Sequence, residues 1–236
     1  MCGESVNQPL RNPRAVLVSL SPRRRRLVGL VVSRVETAAV DTPESLDSPL
    51  STDPHALVAS LALEKLEAAR LLHDPNDLIM CFDTVVVAAG RILGKPADRD
   101  DARRMLRDLS GSTHQVLTAM ALGIPDRDDP VIEVVETDVL MNELDESAID
   151  SWLASDEPLG CAGAYNIEGQ IASVGDGECF QNVAGFPLCH VYRVLRAHPS
   201  LAESLGANRP IAACDALLDR RCLLGPRLLD ADGSAG

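Results

Sequence analysis

The chain has 236 residues, which is enough for one generous α/β domain or for two small domains that share a cleft. With 46% hydrophobic and 24% charged residues its composition is globular, which excludes a disordered chain, a collagen and a coiled coil. No apolar run reaches the length of a membrane span, and the first residues lack the basic start and apolar core of a secretion signal. We therefore expect neither a membrane partner nor secretion.

The cysteines indicate the cellular compartment, and the net charge limits the classes of ligand that the protein can bind. Seven cysteines, an odd number without a C-x-x-C pair, argue against a disulfide framework and a structural zinc site, and we expect a cytoplasmic protein. The formal charge of −13 argues against a nucleic-acid partner, and 3% aromatic residues cannot form a stacking ladder for bases. A polyanionic ligand would therefore have to meet positive charges that are concentrated locally.

The positive charges are unusual in kind, because arginines greatly outnumber lysines. Lys65 and Lys95 are the only lysines among the 22 basic residues. Codon composition is a sufficient cause of the arginine bias. The two remaining ammonium groups could still mark places where a compact point charge is needed.

The first third of the chain is predicted to begin with a flexible lead at residues 1–14. Ser21 followed by Pro22 is typical of a helix start, with serine as the cap. Residues 31–35 fit either a strand or the continuation of that helix. The other predicted elements are a strand at 15–18, a first helix at 23–30, a loop at 41–54 and an amphipathic helix at 55–72.

The remaining chain alternates between strands and helices, with two adjacent strands in the middle. This order predicts an α/β protein with a mixed sheet rather than a doubly wound one. The predicted strands cover 78–88, 114–122 and 131–140, with a hairpin-like return that closes at 95–96. The predicted helices cover 98–109, 145–154, 187–197 and 211–218, and a glycine-rich stretch with short strands covers 160–177.

The segment Ser19-Leu20-Ser21-Pro22 followed by four arginines combines a strand end, hydroxyl groups and a helix start. Free backbone N–H groups and the helix dipole at such a point favour an anion, and guanidinium groups add paired donors. Four consecutive arginines point around the whole helix, however. A solvated basic face is therefore an equally open interpretation.

Asp83 interrupts an apolar strand, where a buried carboxylate is costly unless it is paired or bound to a metal. At the carboxyl end of a strand it would face a cleft and could act as a general base or a metal ligand. Alternatively, the strand ends there and the acid caps a turn. Lys95 follows twelve residues later, at a distance that suits a return towards the carboxylate.

Other polar residues are more simply explained as structural. Glu44 lies in a loop between Asp41 and Asp47 and, from spacing alone, is a solvated acid. His114 at a strand start indicates a structural hydrogen bond. Thiols such as Cys179 and Cys189 lack metal-ligand spacing and are expected to be buried.

Several motifs, in order and at matching spacing, resemble the Maf family of nucleoside triphosphate pyrophosphatases over residues 15–197. The resemblance is carried by Val18-Ser19-Leu20-Ser21-Pro22-Arg23-Arg24, Leu63-Glu64-Lys65, Phe82-Asp83-Thr84-Val85-Val86-Val87, Gly90-Arg91-Ile92-Leu93-Gly94-Lys95-Pro96, Met105-Leu106-Arg107-Asp108-Leu109-Ser110-Gly111-Ser112-Thr113-His114, Asp156-Glu157-Pro158-Leu159, Ala162-Gly163-Ala164-Tyr165-Asn166-Ile167-Glu168-Gly169 and Asn182-Val183-Ala184-Gly185-Phe186-Pro187-Leu188.

The resemblance implies an elongated mixed β-sheet with flanking helices and a cleft between two lobes, similar to the inosine triphosphatase fold. It also implies metal-dependent hydrolysis of the α–β phosphoanhydride of a nucleotide, with Mg²⁺ or Mn²⁺. Asp83 matches the family's proton acceptor. The matching substrate-binding positions are Ser21, Arg24, Lys65 and Lys95. Glu44 falls on the acidic metal-binding position beside Asp83, with Asp41 as its rival if the loop is gapped.

Base preference in the family is associated with three positions, which match Arg23, Thr84 and Glu168. Arg23 and Thr84 resemble the branch that acts on dTTP and UTP, where position 168 would be Gln. Glu168, with Cys161 upstream, resembles the branch that acts on 7-methyl-GTP. Two of three positions favour pyrimidines, although an ionised Glu accepts hydrogen bonds and cannot donate them.

The resemblance also leaves an alternative role and two structural expectations. Maf homologues have been linked to inhibition of septum formation, so a regulatory protein that acts by binding is the alternative to an enzyme. Family members often form homodimers. The tail at 198–236 extends beyond the usual family end and is expected to be partly helical or disordered.

Overall fold

A computed structural model describes residues 13–125, 127–155 and 157–230. Within them the chain forms a mixed sheet flanked by helices, and no described helix is both long and apolar enough to cross a bilayer. The strands are β1 (Ala15–Val18), β2 (Val35–Ala38), β3 (Leu78–Ala88), β4 (Arg91–Leu93), β5 (Thr113–Gly123), β6 (Val131–Met141) and β7 (Ala172–Val174). The helices are α1 (Pro22–Val28), α2 (Pro54–Arg70), α3 (Arg99–Leu109), α4 (Glu146–Leu153), α5 (Phe180–Val183), α6 (Leu188–Arg196), α7 (Pro199–Ser204), α8 (Ile211–Leu218) and α9 (Leu224–Asp230).

The sheet has the order β2-β1-β3-β5-β6-β7, with β4 paired to β3 outside this path. β1 runs parallel to β2 and β3, whereas the pairs β3–β5, β5–β6 and β6–β7 are antiparallel. The two long hairpin partners β5 and β6 explain why the sheet is mixed, because adjacent strands joined by a short turn must be antiparallel. The predicted mixed α/β architecture is confirmed.

One edge of β3 is shared by two short strands, and this arrangement opens the sheet. β1 pairs with β3 only as far as Cys81, and β4 begins to pair at Val86. Residues 82–85 therefore lie between the two partners on that edge, while β5 pairs with them on the other. At this gap, Asp83 and Thr84 of β3 line a cleft in the middle of the sheet.

The two faces of β3 belong to two different cores. Leu78, Met80, Phe82 and Val86 pack into the larger one, and the alternate positions, such as Ile79, pack into the smaller one against α2. Strand side chains alternate between faces, so Asp83 points to the α2 side and Thr84 to the opposite side. This alternation decides which helix can supply a partner for the Asp83 carboxylate.

Side-chain caps begin the first four helices, and the cap of α1 is the one that the sequence analysis predicted. Ser21 Oγ accepts a hydrogen bond from Arg24 N at 3.4 Å, with Pro22 in the first turn of α1. Asp53, Asp98 and Asp145 cap α2, α3 and α4 in the same way. Each cap satisfies one of the free N–H groups in the first helical turn. Because only a few residue types can do this, a cap marks the start of a helix in the sequence.

Several predicted elements are wrong in their bounds or nature. Residues 31–34 continue neither as helix nor as strand, because α1 ends at Val28 and β2 begins only at Val35. The stretch 160–177 holds one short strand, β7, and otherwise 3-10 turns, at Glu157–Gly160, Ala162–Ala164 and Ile167–Gly169. Asp83 is not at a strand end: it is the sixth of eleven residues in β3.

The tail contains more helix than the single one predicted at 211–218. That helix is confirmed as α8, and α7 and α9 accompany it. α9 packs against α6, and Leu201, Leu205 and Cys214 join the larger core. The tail is thus part of the packed protein as far as residue 230. Of the predicted flexible lead at 1–14, residues 1–12 lie outside the described residues, as do the last residues, 231–236, whereas Arg14 is held by hydrogen bonds to Asp77.

Candidate active site

A cleft of about 670 Å³ lies over the gap in the sheet and is formed by α1, β3 and the segment 157–168. Its volume is in the range of small-molecule sites. The charged side chains that line it are Arg23, Arg24, Arg26, Lys65, Lys95, Glu44, Asp83, Glu157 and Glu168. Five basic groups against four carboxylates make this cleft locally positive in a chain whose net charge is −13. Positive charge is therefore concentrated here, as binding of a polyanion requires.

Four charged groups form one network at the floor of the cleft. Lys65 Nζ donates to Asp83 Oδ2 at 2.5 Å and to Glu44 Oε1 at 2.6 Å. Lys95 Nζ donates to the second oxygen of Glu44 at 2.5 Å. Asp83 and Lys65 are only 7% and 9% exposed, so both depend on this pairing to keep their charges.

The fold explains why these groups meet. Lys65 lies on the face of α2 that covers the smaller core, opposite the face of β3 from which Asp83 projects. Lys95 returns to the gap directly after β4, and Glu44 comes from the loop between β2 and α2. The prediction that Asp83 and both lysines share one pocket is confirmed, although Lys95 reaches Asp83 only through Glu44 and Lys65.

Glu44 accepts hydrogen bonds from both lysines of this network and is not simply a solvated loop acid. Burial opposes its ionisation, but the hydrogen bonds from Lys65 and Lys95 outweigh burial and lower the pKa of Glu44 to about 2. Its rival Asp41 does not line the cleft. The carboxylate nearest to Asp83 across Lys65 is therefore Glu44.

Metal binding has to be judged from these two carboxylates. No cluster of three or more His, Cys, Asp or Glu side chains suited to a metal occurs in the described part of the chain. Glu44 and Asp83 nevertheless direct oxygens at the same ammonium group of Lys65, so the site already holds a cation between two carboxylates. One or two carboxylates completed by phosphate oxygens and water are a common environment for Mg²⁺. The donor set fits such an ion.

Arg24 ties the walls of the cleft together. Its Nε donates to Gly185 O at 2.8 Å, Nη1 to Phe82 O at 2.9 Å and Nη2 to Thr84 Oγ1 at 2.9 Å. Burial lowers the pKa of the guanidinium, an effect that the nearby carboxylate of Asp83 counters. Three of the five N–H groups of Arg24 therefore donate to acceptors of the protein itself. The predicted contact of Arg24 with a phosphate stays a prediction.

The Thr84 hydroxyl has a defined orientation. Thr118 Oγ1 donates its single proton to Asn182 O at 2.9 Å, so in the 2.9 Å contact between the two threonines Thr84 must be the donor. Thr84 Oγ1 in turn accepts from Arg24. The chain Arg24–Thr84–Thr118 thus fixes the position that the family resemblance connects with base preference.

Two arginines of α1, Arg23 and Arg26, are paired with the opposite wall of the cleft, whereas Arg25 is exposed. Arg23 donates to Glu157 Oε1 at 3.2 Å and to Cys161 Sγ at 3.1 Å, and Arg26 pairs with Glu168. Burial raises the pKa of the Cys161 thiol, in keeping with its protonated form donating to Glu157 O. Arg23 and Arg26 therefore join one face of α1 to the segment 157–168.

Ser21 lines the cleft at the start of α1, where an anion site is predicted. Its hydroxyl oxygen accepts from Arg24 N, and its backbone N–H donates to Ser19 Oγ at 3.1 Å. These bonds engage the acceptor and the backbone donor of Ser21. The hydroxyl proton is the group it has for a phosphate oxygen.

Every predicted site residue except the rival Asp41 lines the cleft, but sequence reasoning missed some of their partners. Arg26, Glu157 and Asn166 also line it, and Asn166 Nδ2 donates to Glu157 Oε1 at 2.6 Å. Asn166 and Glu157 lie inside or beside the quoted motifs, so position was a signal for them. Arg26 belongs to the run of four arginines considered for an anion site, but its pairing with Glu168 left no signal in the sequence.

His114 lies outside this site, as predicted. It is buried, and its Nε2 lies 2.7 Å from the Tyr165 hydroxyl. Burial lowers the pKa of His114 to about 4, so the ring is neutral near pH 7.

Four of the cysteines line a smaller cavity beside α6 and α8: Cys179, Cys189, Cys214 and Cys222. Cys189 and Cys214 are buried, as predicted, whereas Cys179 and Cys222 are half-buried. Burial raises the pKa of the Cys189 thiol to about 12.

Comparison with known proteins covers most of the chain. A family model described as "Maf-like protein" matches residues 14–198. A dTTP/UTP pyrophosphatase of Anaeromyxobacter dehalogenans strain 2CP-1 is 39% identical over 193 residues, which cover 78% of this chain and 93% of the relative. The dTTP/UTP pyrophosphatase of Pelotomaculum thermopropionicum is 42% identical over 190 residues, 77% of this chain and 94% of the relative. That of Xanthomonas axonopodis pv. citri is 39% identical over 188 residues, 77% of this chain and 96% of the relative.

Proposed function

The chain belongs to the Maf family, and from this membership and the charged cleft beside β3 we propose that it is a nucleoside triphosphate pyrophosphatase acting on dTTP and UTP. Water cleaves the bond between the α-phosphorus and the α–β bridging oxygen, and the products are the nucleoside monophosphate and pyrophosphate. The observation that carries the proposal is the meeting of Asp83, Glu44 and both lysines of the chain in one locally positive cleft.

Asp83 is the proton acceptor in this proposal. Its Oδ1 accepts from Thr84 N at 2.7 Å and its Oδ2 from Lys65, so each oxygen keeps one lone pair for a water molecule. A carboxylate held in this way has a fixed direction, and general-base catalysis depends on direction before it depends on pKa. The water that attacks the α-phosphorus passes its proton to Asp83.

The two lysines bind the triphosphate and the leaving pyrophosphate. An ammonium group has three N–H donors; Lys65 uses two of them within the network and Lys95 one. Both lysines therefore keep donors for phosphate oxygens without releasing their carboxylates. Ser21, which also lines the cleft, adds its hydroxyl proton, and Arg24 holds Thr84 and Gly185 in place.

Glu44 and Asp83 would hold a Mg²⁺ or Mn²⁺ ion, which would supply charge neutralisation on the phosphate oxygens. The carboxylate of Glu44 stays ionised down to about pH 2, because its pKa is about 2. It is therefore ready to bind a cation throughout the range in which nucleotides are hydrolysed.

A nucleotide panel tests the function. The purified protein is incubated with dTTP, UTP, CTP, ATP, GTP and 7-methyl-GTP in the presence of Mg²⁺, Mn²⁺ or EDTA, and products are separated by ion-exchange chromatography. We expect monophosphate and pyrophosphate from dTTP and UTP, with activity lost in EDTA. Diphosphate with orthophosphate would place the cleavage at the wrong bond. No cleavage of any nucleotide would favour a regulatory protein that acts by binding.

The panel includes 7-methyl-GTP because Glu168 stands in the cleft where a pyrimidine-specific site would carry an amide. A carboxylate alone favours the N–H donors of a guanine edge. Faster cleavage of 7-methyl-GTP than of UTP would assign the chain to that second activity.

We also propose that the protein acts in the cytoplasm, as a homodimer. The six described cysteines are all free thiols, which suits a reducing compartment. Light scattering after size exclusion measures the oligomeric state directly.

A further inference from the structure

Arg26 and Glu168 form an ion pair on the wall of the cleft, away from the lysine network. Arg26 Nη2 donates to Glu168 Oε1, and the two side chains are 52% and 28% exposed. Both line the cleft, so the pair faces the space that a ligand would fill. Neither residue contacts Asp83 or the lysines in the network described above.

The pair is built into its wall. Arg23 and Arg26 lie three residues apart on one face of α1 and reach Glu157 and Glu168 respectively. Asn166 connects the two acids, because its Oδ1 accepts from Glu168 N at 3.0 Å and its Nδ2 donates to Glu157. The backbone of Glu168 is therefore fixed by Asn166, and its carboxylate is held by Arg26.

A carboxylate by itself is a poor partner for uracil or thymine. The imide edge of these bases presents an N–H donor between two carbonyl acceptors, and a carboxylate accepts from the N–H but repels the carbonyl oxygens. A guanidinium carries five N–H donors, so Arg26 retains donors after it has bound Glu168. Together the two side chains offer one acceptor beside one donor, which complements the imide edge.

We propose that Arg26 is a specificity-determining residue that acts with Glu168 as a single donor–acceptor unit for the pyrimidine imide. This inference rests on the proposed pyrophosphatase function and names the residue that makes a glutamate at position 168 compatible with it. Without Arg26 the carboxylate would present two acceptors, which complement the adjacent N1–H and N2–H donors of guanine.

A double-mutant cycle tests the proposal. The values of kcat/KM for UTP and 7-methyl-GTP are measured for the wild type, Arg26→Ala, Glu168→Gln and the double variant. We expect Arg26→Ala to lower kcat/KM for UTP by about 10- to 100-fold, mainly through KM, and to raise the ratio of 7-methyl-GTP to UTP cleavage. In the Glu168→Gln background, where the amide supplies its own donor, the same change should cost about threefold or less.

Arg104→Ala is the matched control, because it also removes an exposed guanidinium from an ion pair, with Asp101 on α3. It should leave kcat/KM unchanged for both nucleotides. Thermal unfolding shows whether each variant is folded.

Two results would overturn the inference: an equal loss for Arg26→Ala in both backgrounds, or an equal loss for UTP and 7-methyl-GTP. A folded wild type inactive towards every nucleotide would refute the proposed function and the inference with it. An active wild type that gives either of the first two results refutes the inference alone.

Discussion

Replacement of Arg24 by lysine is expected to destabilise the protein although the charge is kept. The Arg24 guanidinium donates to three acceptors on different elements: Gly185 O, Phe82 O and Thr84 Oγ1. The nitrogens of the guanidinium point in different directions, whereas a lysine ammonium is a single centre. The three acceptors surround a planar group rather than one nitrogen, so we expect a lysine ammonium to reach one of them and two to lose their donor.

The magnitude follows from those two lost bonds. A hydrogen bond from a charged group contributes about 1.5–3 kcal/mol, and water in the cleft will replace part of each lost bond. We expect the free energy of unfolding to fall by about 2–4 kcal/mol, since two bonds are lost and partly compensated. The backbone of Gly185 packs closely against Arg24, since a Cβ added to Gly185 would lie 3.1 Å from Arg24 Nε. There is therefore little room for the neighbouring groups to rearrange around a lysine.

Urea unfolding followed by far-ultraviolet circular dichroism and by the fluorescence of Trp152, the only tryptophan, measures this loss. Arg25→Lys is the matched control on the same helix, because exposed Arg25 makes one bond, from Nε to Ser19 O at 3.0 Å. It should cost about 1 kcal/mol or less. Equal losses for the two variants would refute the structural role of Arg24. Unchanged stability with a raised KM would instead place its guanidinium on the substrate.

Three further predictions test other parts of the structure. Asp83→Asn should lower kcat by about 10²–10⁴-fold while α,β-imido-dUTP still binds in calorimetry; near-normal turnover would remove Asp83 as the base. Because burial lowers the pKa of His114 to about 4, the folded ring stays neutral while the unfolded chain binds a proton below its usual pKa of about 6.5. Stability should therefore fall as pH drops from about 6.5 to 4, with His114 supplying about 3 kcal/mol of the loss, and His114→Gln should flatten the dependence; parallel curves would contradict this. Gly169→Ala would place a Cβ 2.2 Å from the Trp152 ring, so it should lower stability by about 1–3 kcal/mol and change Trp152 emission. Gly177→Ala, with open space around its Cβ, should do neither.

Local signals in the sequence were sufficient wherever short-range physics sets the structure. The apolar run of β3 is predicted with its observed bounds, Leu78–Ala88, because a strand buried on both faces needs apolar side chains throughout. Ser21 and Pro22 identify the start of α1, because capping and a fixed proline φ act within one turn. Where such signals are missing, the predicted boundaries were wrong by a few residues: the first helix was predicted to end at residue 30, and α1 ends at Val28.

The residues of the candidate site were predicted from the sequence, but the contacts between them were not. Motif spacing placed Asp83, Lys65 and Lys95 in one pocket, and the structure confirms the pocket. Spacing did not show that Glu44 bridges the two lysines. It did not show that Asp83 reaches the cleft from the middle of a strand.

The sequence by itself determined most of the strands and helices in their order, the cap of α1 and the family to which the chain belongs, because periodicity, capping and motif spacing act over short distances. Only the tertiary structure decided that β1 and β4 divide one edge of β3, so that Asp83 lines the cleft between them. It also decided that Arg26 meets Glu168, 142 residues away along the chain. Contacts of that kind depend on how distant elements pack, and packing is settled by the whole core at once rather than by any local pattern.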